Sequence, residues 1–318
     1  MNAVRALQFV DKKIAVSELS QPEVAAGEVL VRVVRAGVCN TDIEITRGYF
    51  DYSGTLGHEF VGVVEKAEDA AMVGKRIVAD INCACGRCAV CLEGGAHHCP
   101  TRTVLGIVNR NGAFADYLVV PERNLVVVPE TVPDDIAVFA EPVAAALEIQ
   151  EQLELAQEES VCVIGDGKLG LLIAMTLDAS GFKVDLVGRH PERRKRLGGF
   201  AGRYGIEPSE SNYAVVVEAT GNPDGFRFAI QLTRPQGTLV LKSTYSSGFE
   251  FNPAMIVVNE IRVQGSRCGP MDKAVALLAS GKIDLRPLID HRFSLDDGVA
   301  AMEQAMARGT LKVLLDIS

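Results

Sequence analysis

The sequence has no apolar run approaching the roughly 18 residues that a membrane-crossing helix needs, which excludes a spanning segment of that kind. It also lacks the layout of a secretory leader. Asp11, Lys12 and Lys13 interrupt the apolar stretch of MNAVRALQFVDKKIAVSEL, so a cytoplasmic location is expected. Positive charge is in deficit: 32 Lys and Arg stand against 41 Asp and Glu, and the formal charge of −9 argues against general attraction to nucleic acid or anionic lipid. Internal repeats and low-complexity linkers are missing. Cysteine is not scarce, at eight residues, but in a reducing compartment these do not make a disulfide framework. Four of them crowd together instead, and metal becomes the first hypothesis.

What is present is a chain of 318 residues, 48% hydrophobic and 23% charged, the mix of a globular protein long enough for two domains. Residues 1–132 read as strand-rich, with short apolar runs at Val29–Val34, Phe60–Val64 and Tyr117–Val120. Glu141–Ala156 reads as a helix on the spacing of Val143, Ala146, Leu147, Leu153 and Leu155. Strand-like Val161–Ile164, helix-like Leu169–Ala179 and the runs Val184–Val187, Ala214–Val217 and Thr238–Leu241 then alternate at α/β intervals. Such alternation means a parallel, doubly wound sheet. A helix at Asp272–Ser280, a helical stretch at Leu295–Ala307 and a strand at Leu311–Asp316 close the chain. The expectation is a nucleotide-binding domain, 143–267, inserted into a β-rich domain made of 1–142 and 268–318.

Cys85-x2-Cys88-x2-Cys91-x7-Cys99 lets one short loop, within a lobe spanning 83–100, wrap an ion tetrahedrally, as a closed structural zinc site requires. Gly86, Gly94 and Gly95 ease its turns. An iron–sulfur cluster is the alternative, and Cys83, His97 and His98 are near enough in sequence to substitute as ligands. Four thiolates leave no open position, so this lobe carries no activity.

Gly165-Asp166-Gly167-Lys168-Leu169-Gly170 is a G-x-G-x-x-G placed between a strand and a helix, the context that makes it a dinucleotide fingerprint. Gly165 turns the chain, Gly167 lets the backbone approach a pyrophosphate, and Gly170 allows close helix–strand packing. The start of the helix, at Lys168 and Leu169, supplies backbone donors and partial positive charge. An NAD site normally carries an acid about 20 residues on, bonded to the ribose. Here that count reaches Arg189, in Gly188-Arg189-His190-Pro191-Glu192-Arg193-Arg194. A small residue followed by Arg189, His190 and Arg194 suits a 2′-phosphate, which favours NADP over NAD. Asp185 or Glu192 would serve the ribose if the strand ended elsewhere.

Gly37-Val38-Cys39-Asn40-Thr41-Asp42, Gly57-His58-Glu59-Phe60-Val61-Gly62 and Phe139-Ala140-Glu141-Pro142 are each weak signals. In this order, with the cysteine lobe and the glycine fingerprint following, they resemble the medium-chain, zinc-dependent alcohol dehydrogenase family over essentially the whole chain. The resemblance is to its polyol- and sugar-dehydrogenase branch. It implies a Rossmann sheet inserted into a GroES-like catalytic domain, two zinc ions per chain (one catalytic, one structural), and hydride transfer between a nicotinamide cofactor and a small alcohol or carbonyl compound. Cys39, His58 and Glu141 are the implied ligands of the catalytic zinc. Glu59 joins them directly or through water, and one position stays open for substrate. Thr41 is the implied proton relay, and Asp42 holds the His58 ring. Where many family members have a histidine five residues after the thiolate, this chain has Glu44. Thr220 stands at the implied contact beside the nicotinamide ribose and Lys312 at a basic pyrophosphate contact, while Ile45, Phe50, Tyr52 and Phe114 are candidate pocket residues. The resemblance also implies a homo-oligomer, dimer or tetramer, through the strand Ile261–Gln264. A zinc-stabilised nucleotide-binding sensor, a redox switch built on the cysteine cluster, and a zinc-independent reductase are the rival readings.

Overall fold

Apolar residues at alternate positions of Glu28–Gly37 make a strand that is buried along most of its length, and the first sheet is built around it. The computed structural model describes residues 3–49, 51–153, 159–245 and 248–318. Its contacts divide into two compact units, Met1–Glu141 with Ile289–Ser318, and Pro142–Leu288.

In the first unit a seven-stranded sheet runs in the order Leu125–Val127, Arg76–Ala79, Glu59–Lys66, Glu28–Gly37, Lys312–Asp316, Ile289–Ser294, with Tyr117–Pro121 also paired to Glu28–Gly37. The C-terminal strand lies antiparallel to Glu28–Gly37, Leu314 facing Gly37, so the last strand of the chain joins the sheet begun by Glu28–Gly37. A smaller sheet joins Lys13–Ser20, Ala3–Val10 and Gly54–Thr55.

An ion-pair network ties this closure together. Arg35 bonds Asp316 at 2.6 Å and also Asp135, and Arg292 bonds Asp135 at 2.7 Å. Hydrogen bonds from Arg292, with Arg35 beside it, hold the Asp135 pKa below the ordinary carboxylate value. A depressed folded-state pKa adds stability above the unfolded value near 4, and that stability is lost as pH falls through the folded value. Asp135→Asn should therefore cost about 1 kcal/mol at neutral pH. In thermal melts the gap to the wild type should close below about pH 4, whereas a gap independent of pH would discount the network.

The second unit holds a six-stranded parallel sheet ordered Arg203–Gly205, Lys183–Val187, Ser160–Ile164, Tyr213–Glu218, Thr233–Leu241, Arg262–Gly265. The order reverses between Ser160–Ile164 and Tyr213–Glu218, the point where such sheets open a crevice for ligands. The helix expected from Glu141 spans Ala140–Gln152, while Leu155 and Ala156 lie outside the described residues. Between Lys183–Val187 and Arg203–Gly205 the described residues contain a 3-10 turn, Pro191–Arg196, and no α-helix. Asp185 holds this shortened crossover: it accepts bonds from Arg203 at 2.7 Å and from the Ser209 backbone at 2.7 Å, and from Tyr213. Asp185 is 3% exposed and committed to these bonds.

Residues 268–288, grouped by sequence with the β-rich domain, pack within the second unit. Gly269 backs so closely on the Ala144 carbonyl that a β-carbon would lie 2.1 Å from its oxygen, Asp284 bridges Gly198, and Arg196 bonds the Pro287 carbonyl at 2.6 Å. These contacts place the second junction at Leu288. No helix among the described residues is long and apolar enough to cross a membrane.

Candidate metal centres and glycine loop

Cys39 caps the short helix Asn40–Thr46. Its backbone N–H donates to Asp42 at 2.9 Å, and the other Asp42 oxygen accepts the Gly57 N–H at 3.2 Å. Asp42 is fully buried and thereby pins the cysteine turn to the residue preceding His58. Gly57 has φ +95°, and a β-carbon there would sit 2.3 Å from the Phe114 ring, so only glycine serves. His58 then leads into Glu59–Lys66, where Glu59 pairs with Gly37.

The result is a cluster. One ligand atom each from Cys39, His58 and Glu59 lies within 4.8 Å of the others, with His58 and Glu59 buried. Burial opposes a charge on His58, but Asp42 and Cys39 outweigh it and raise its pKa well above the ordinary imidazole value. Its Nδ1 lies 3.2 Å from Asp42, at an angle that makes no hydrogen bond, so it is a buried ring nitrogen without a bonded partner among the described residues. A thiolate, an imidazole and a carboxylate gathered in a buried place are a donor set that fits zinc.

Glu141 stands outside this trio, at the start of Ala140–Gln152. Its pKa is pushed up to about 7, chiefly by burial, with His58 and Lys312 working against the rise and Glu59 adding to it. Those cations do not offset its desolvation. Thr41 Oγ1 lies 3.7 Å from the Cys39 sulfur, and Glu44 pairs with Arg47 at 2.9 Å.

Lys312 departs from its expected place. Its side chain is 2% exposed, its amine is ion-paired with Glu59, and it lies 5.4 Å from the centre of the Phe139 ring, rather than being held out toward a pyrophosphate. Burial disfavours its charge, yet Glu59 and Cys39 hold its pKa above the ordinary lysine value. One signal for this exists in the sequence: a lysine inside Leu311-Lys312-Val313-Leu314-Leu315 has to be paired if that strand is buried.

In the lobe, the sulfur atoms of Cys85, Cys88, Cys91 and Cys99 all lie within 4.8 Å of one another. Cys88 is 3.5 Å from Cys91 and 3.9 Å from Cys99, and all four are free thiols. The Cys85 N–H and the Thr101 hydroxyl lower the Cys99 pKa to about 6, which favours the thiolate a metal needs. Two of the substitute ligands have other partners: His97 bonds Asp80 at 2.7 Å, and Cys83 is buried against the Ile81 carbonyl.

The glycine loop follows Ser160–Ile164. Gly165 has φ +111°, and a β-carbon on Gly170 would lie 1.8 Å from the Gly165 carbonyl oxygen. Gly167 caps the helix Lys168–Ala179 and has open space where a β-carbon would project, as a loop that lets a ligand approach its backbone requires. Leu169 is half-buried on that helix. Arg189 is exposed, and Arg194 bonds the Gly202 carbonyl at 3.3 Å and lies over the Phe200 ring. The Thr220 hydroxyl and backbone both bond Glu218, a fully buried acid that also takes the Tyr245 hydroxyl at 2.7 Å. Of the pocket candidates, Ile45 and Phe114 are core, and Tyr52 is buried with its hydroxyl bonded to the Thr55 carbonyl at 2.6 Å. Phe50 lies outside the described residues.

Comparison with known proteins agrees with this arrangement. Residues 25–130 match the model of the alcohol dehydrogenase GroES-like domain. Starvation-sensing protein RspB of Escherichia coli (strain K12) is 30% identical over 96% of this chain and 97% of its own. The chain belongs to the medium-chain, zinc-dependent alcohol dehydrogenase family. A zinc-binding dehydrogenase from Sinorhizobium meliloti 1021, solved bound to NADP, superposes with a TM-score of 0.91 at 28% identity, covering 100% of both chains. The alcohol dehydrogenase RspB from E. coli CFT073, solved with NADH, does so with a TM-score of 0.90 at 28% identity, again over 100% of both. As a zinc-type alcohol dehydrogenase the protein is an NAD(P)-dependent oxidoreductase whose substrate is a small-molecule alcohol or its carbonyl counterpart.

Proposed function

We propose that the chain oxidises a small secondary alcohol, polyol or sugar, or reduces the corresponding carbonyl, at a catalytic zinc held by Cys39, His58 and the acids Glu59 and Glu141. The observation that carries this reading is the buried meeting of thiol, imidazole and carboxylate within 4.8 Å, braced by Asp42. Bound zinc supplies Lewis acidity and bound nicotinamide takes or returns the hydride. The protein's own part is positional and protonic. Asp42 holds the Cys39 turn and the Gly57–His58 turn in register. Lys312 neutralises Glu59, so that two acids can stand near one centre. The Thr41 hydroxyl, beside the Cys39 sulfur, takes the alcohol proton. Glu44, occupied by Arg47, is not needed for that first transfer.

The four-cysteine lobe, in this reading, holds a second, structural zinc. The first unit is the catalytic domain, and the second binds the dinucleotide at Gly165, Gly167, Lys168, Leu169 and Gly170, with Thr220 at the neighbouring strand end. Relatives of equal identity hold NADP in one case and NADH in the other. Likeness therefore leaves the NADP preference expected from Gly188 and Arg189 to the residues that surround them. A homo-oligomer, dimer or tetramer, is supported by the edge strand Arg262–Gly265, where Val263 is 44% exposed, and by Val257 and Val258 on the preceding helix, 72% and 77% exposed. A panel of polyols, aldoses and secondary alcohols, assayed with NAD and NADP at the reduced-nicotinamide band, tests the activity. Turnover with a member of the panel and about two zinc ions per chain are expected. One zinc and no turnover across the panel would favour the sensor reading.

A further inference from the structure

In a sheet of this topology the ribose of the adenosine half meets the end of the second strand, where an acid accepts its 2′-hydroxyl. That strand here, Lys183–Val187, is followed by Gly188 and the exposed Arg189, a pattern with room for a phosphate. The space is already filled. A β-carbon built on Gly188 would lie 2.4 Å from the Cβ, Cγ and Oδ2 of Asp166, a residue of the glycine loop itself. Gly188 is thus required by a neighbouring carboxylate, and its lack of a side chain is no sign of a phosphate.

Asp166 is 5% exposed and heavily bonded. Its Oδ2 accepts the His190 backbone N–H at 2.8 Å and the Tyr204 hydroxyl at 2.8 Å. Its Oδ1 lies 2.9 Å from His190 Nδ1 and 3.4 Å from Arg193, whose firmer bond, 2.6 Å, goes to the Asp166 carbonyl. Burial alone would favour the neutral acid, but His190 and Tyr204 outweigh it and hold the pKa below the ordinary value. A carboxylate offers about four acceptor sites, and here three are held at short range. The fourth is held only by the long Arg193 contact. A ribose hydroxyl can take that place by a small shift of a guanidinium that keeps its other bond.

We infer that Asp166, reaching over Gly188 from the glycine loop, substitutes for the missing strand-end acid, accepts the ribose 2′-hydroxyl, repels a 2′-phosphate, and so makes the protein select NAD over NADP. The inference rests on the dinucleotide site proposed for Gly165–Gly170. Of the nearby cations, His190 and Arg193 already bond Asp166 and Arg194 is engaged by Gly202 and Phe200, while the exposed Arg189 is the one that opposes this sign.

Binding of NADH and NADPH to the purified, zinc-loaded protein, read by calorimetry or reduced-nicotinamide fluorescence, tests this without needing a substrate. The wild type should bind NADH about tenfold or more tighter than NADPH. Asp166→Ser should shift the ratio toward NADPH by about tenfold to a hundredfold, the worth of one charge-assisted hydrogen bond lost and one repulsion removed. Because that change also loosens His190 and Tyr204, the double variant D166G/G188D provides a second test. It returns the carboxylate to the strand end and should restore the preference for NADH. A wild type that prefers NADPH overturns the inference. So do equal changes in both affinities on Asp166→Ser, or a double variant that binds cofactor without regaining NADH selectivity. A wild type that binds neither nucleotide overturns the dinucleotide site itself, and the two failures are thereby distinct.

Discussion

Cys39→Ala or His58→Ala is expected to abolish nearly all turnover, by about a thousandfold or more, and to remove one zinc ion per chain while leaving the fold intact. The fold should survive because the cap of Asn40–Thr46 uses the Cys39 backbone N–H, which alanine retains, and Asp42 keeps its bond from Gly57. His58→Ala empties a buried site, at a cost of about 1–3 kcal/mol, which leaves a normal domain folded. The measurements are kcat on the best substrate of the panel, metal content by mass spectrometry, and a circular dichroism melt. Unchanged kcat in both variants would end the assignment of these residues to catalysis. Loss of both metals together with the melt would mean that the cluster is structural.

Cys91→Ala should act in the opposite sense, on integrity before chemistry. Among residues 85–98 none is buried, and Leu92 is 75% exposed, so the lobe has almost no core of its own. Its four sulfur atoms converge, and a zinc bound there, as proposed, would supply its binding free energy as folding free energy. Removing one of the four thiols should release that metal, lower the melting temperature, and open the lobe to protease cleavage. The readouts are zinc stoichiometry and limited proteolysis mapped to 86–98. A protease-resistant variant that still carries two zinc ions would refute the lobe as a metal site. An iron–sulfur cluster in its place would appear as iron and sulfide on analysis of the wild type.

Most of the architecture was legible because it is written in short-range patterns. The strand–glycine–helix unit at Ser160–Ala179 and the apolar runs of the parallel sheet repeat over a few residues, and each could be read where it stood. The cysteine cluster was legible for the same reason, since all four cysteines come from one loop. The junction near residue 268 was not. Nothing local in Met271–Ala279 says which sheet it joins, and contacts such as Gly269 on Ala144 decide it. The Asp185 bonds that brace the crossover between Lys183–Val187 and Arg203–Gly205 were likewise invisible.

The candidate site divides along the same line. Cys39, His58 and Glu59 could be named because the order of their motifs resembles a known family; that resemblance made Glu141 the third ligand, and Glu141 stands outside the trio. The partner of Glu59 could not. Lys312 is 253 positions away and reaches it because the last strand adds to the sheet beside Glu28–Gly37. Asp166 is the second case: a residue at the variable position of G-x-G has no role legible from its neighbours, and only the approach of Lys183–Val187 puts its carboxylate over Gly188. Residue chemistry and local spacing are properties of adjacent positions, and so the sequence alone set the ligand types, the glycine loop and the alternating sheet. The counter-ion of Glu59 and the carboxylate over Gly188 depend on which distant strands become neighbours, and that was decided when the sheets closed.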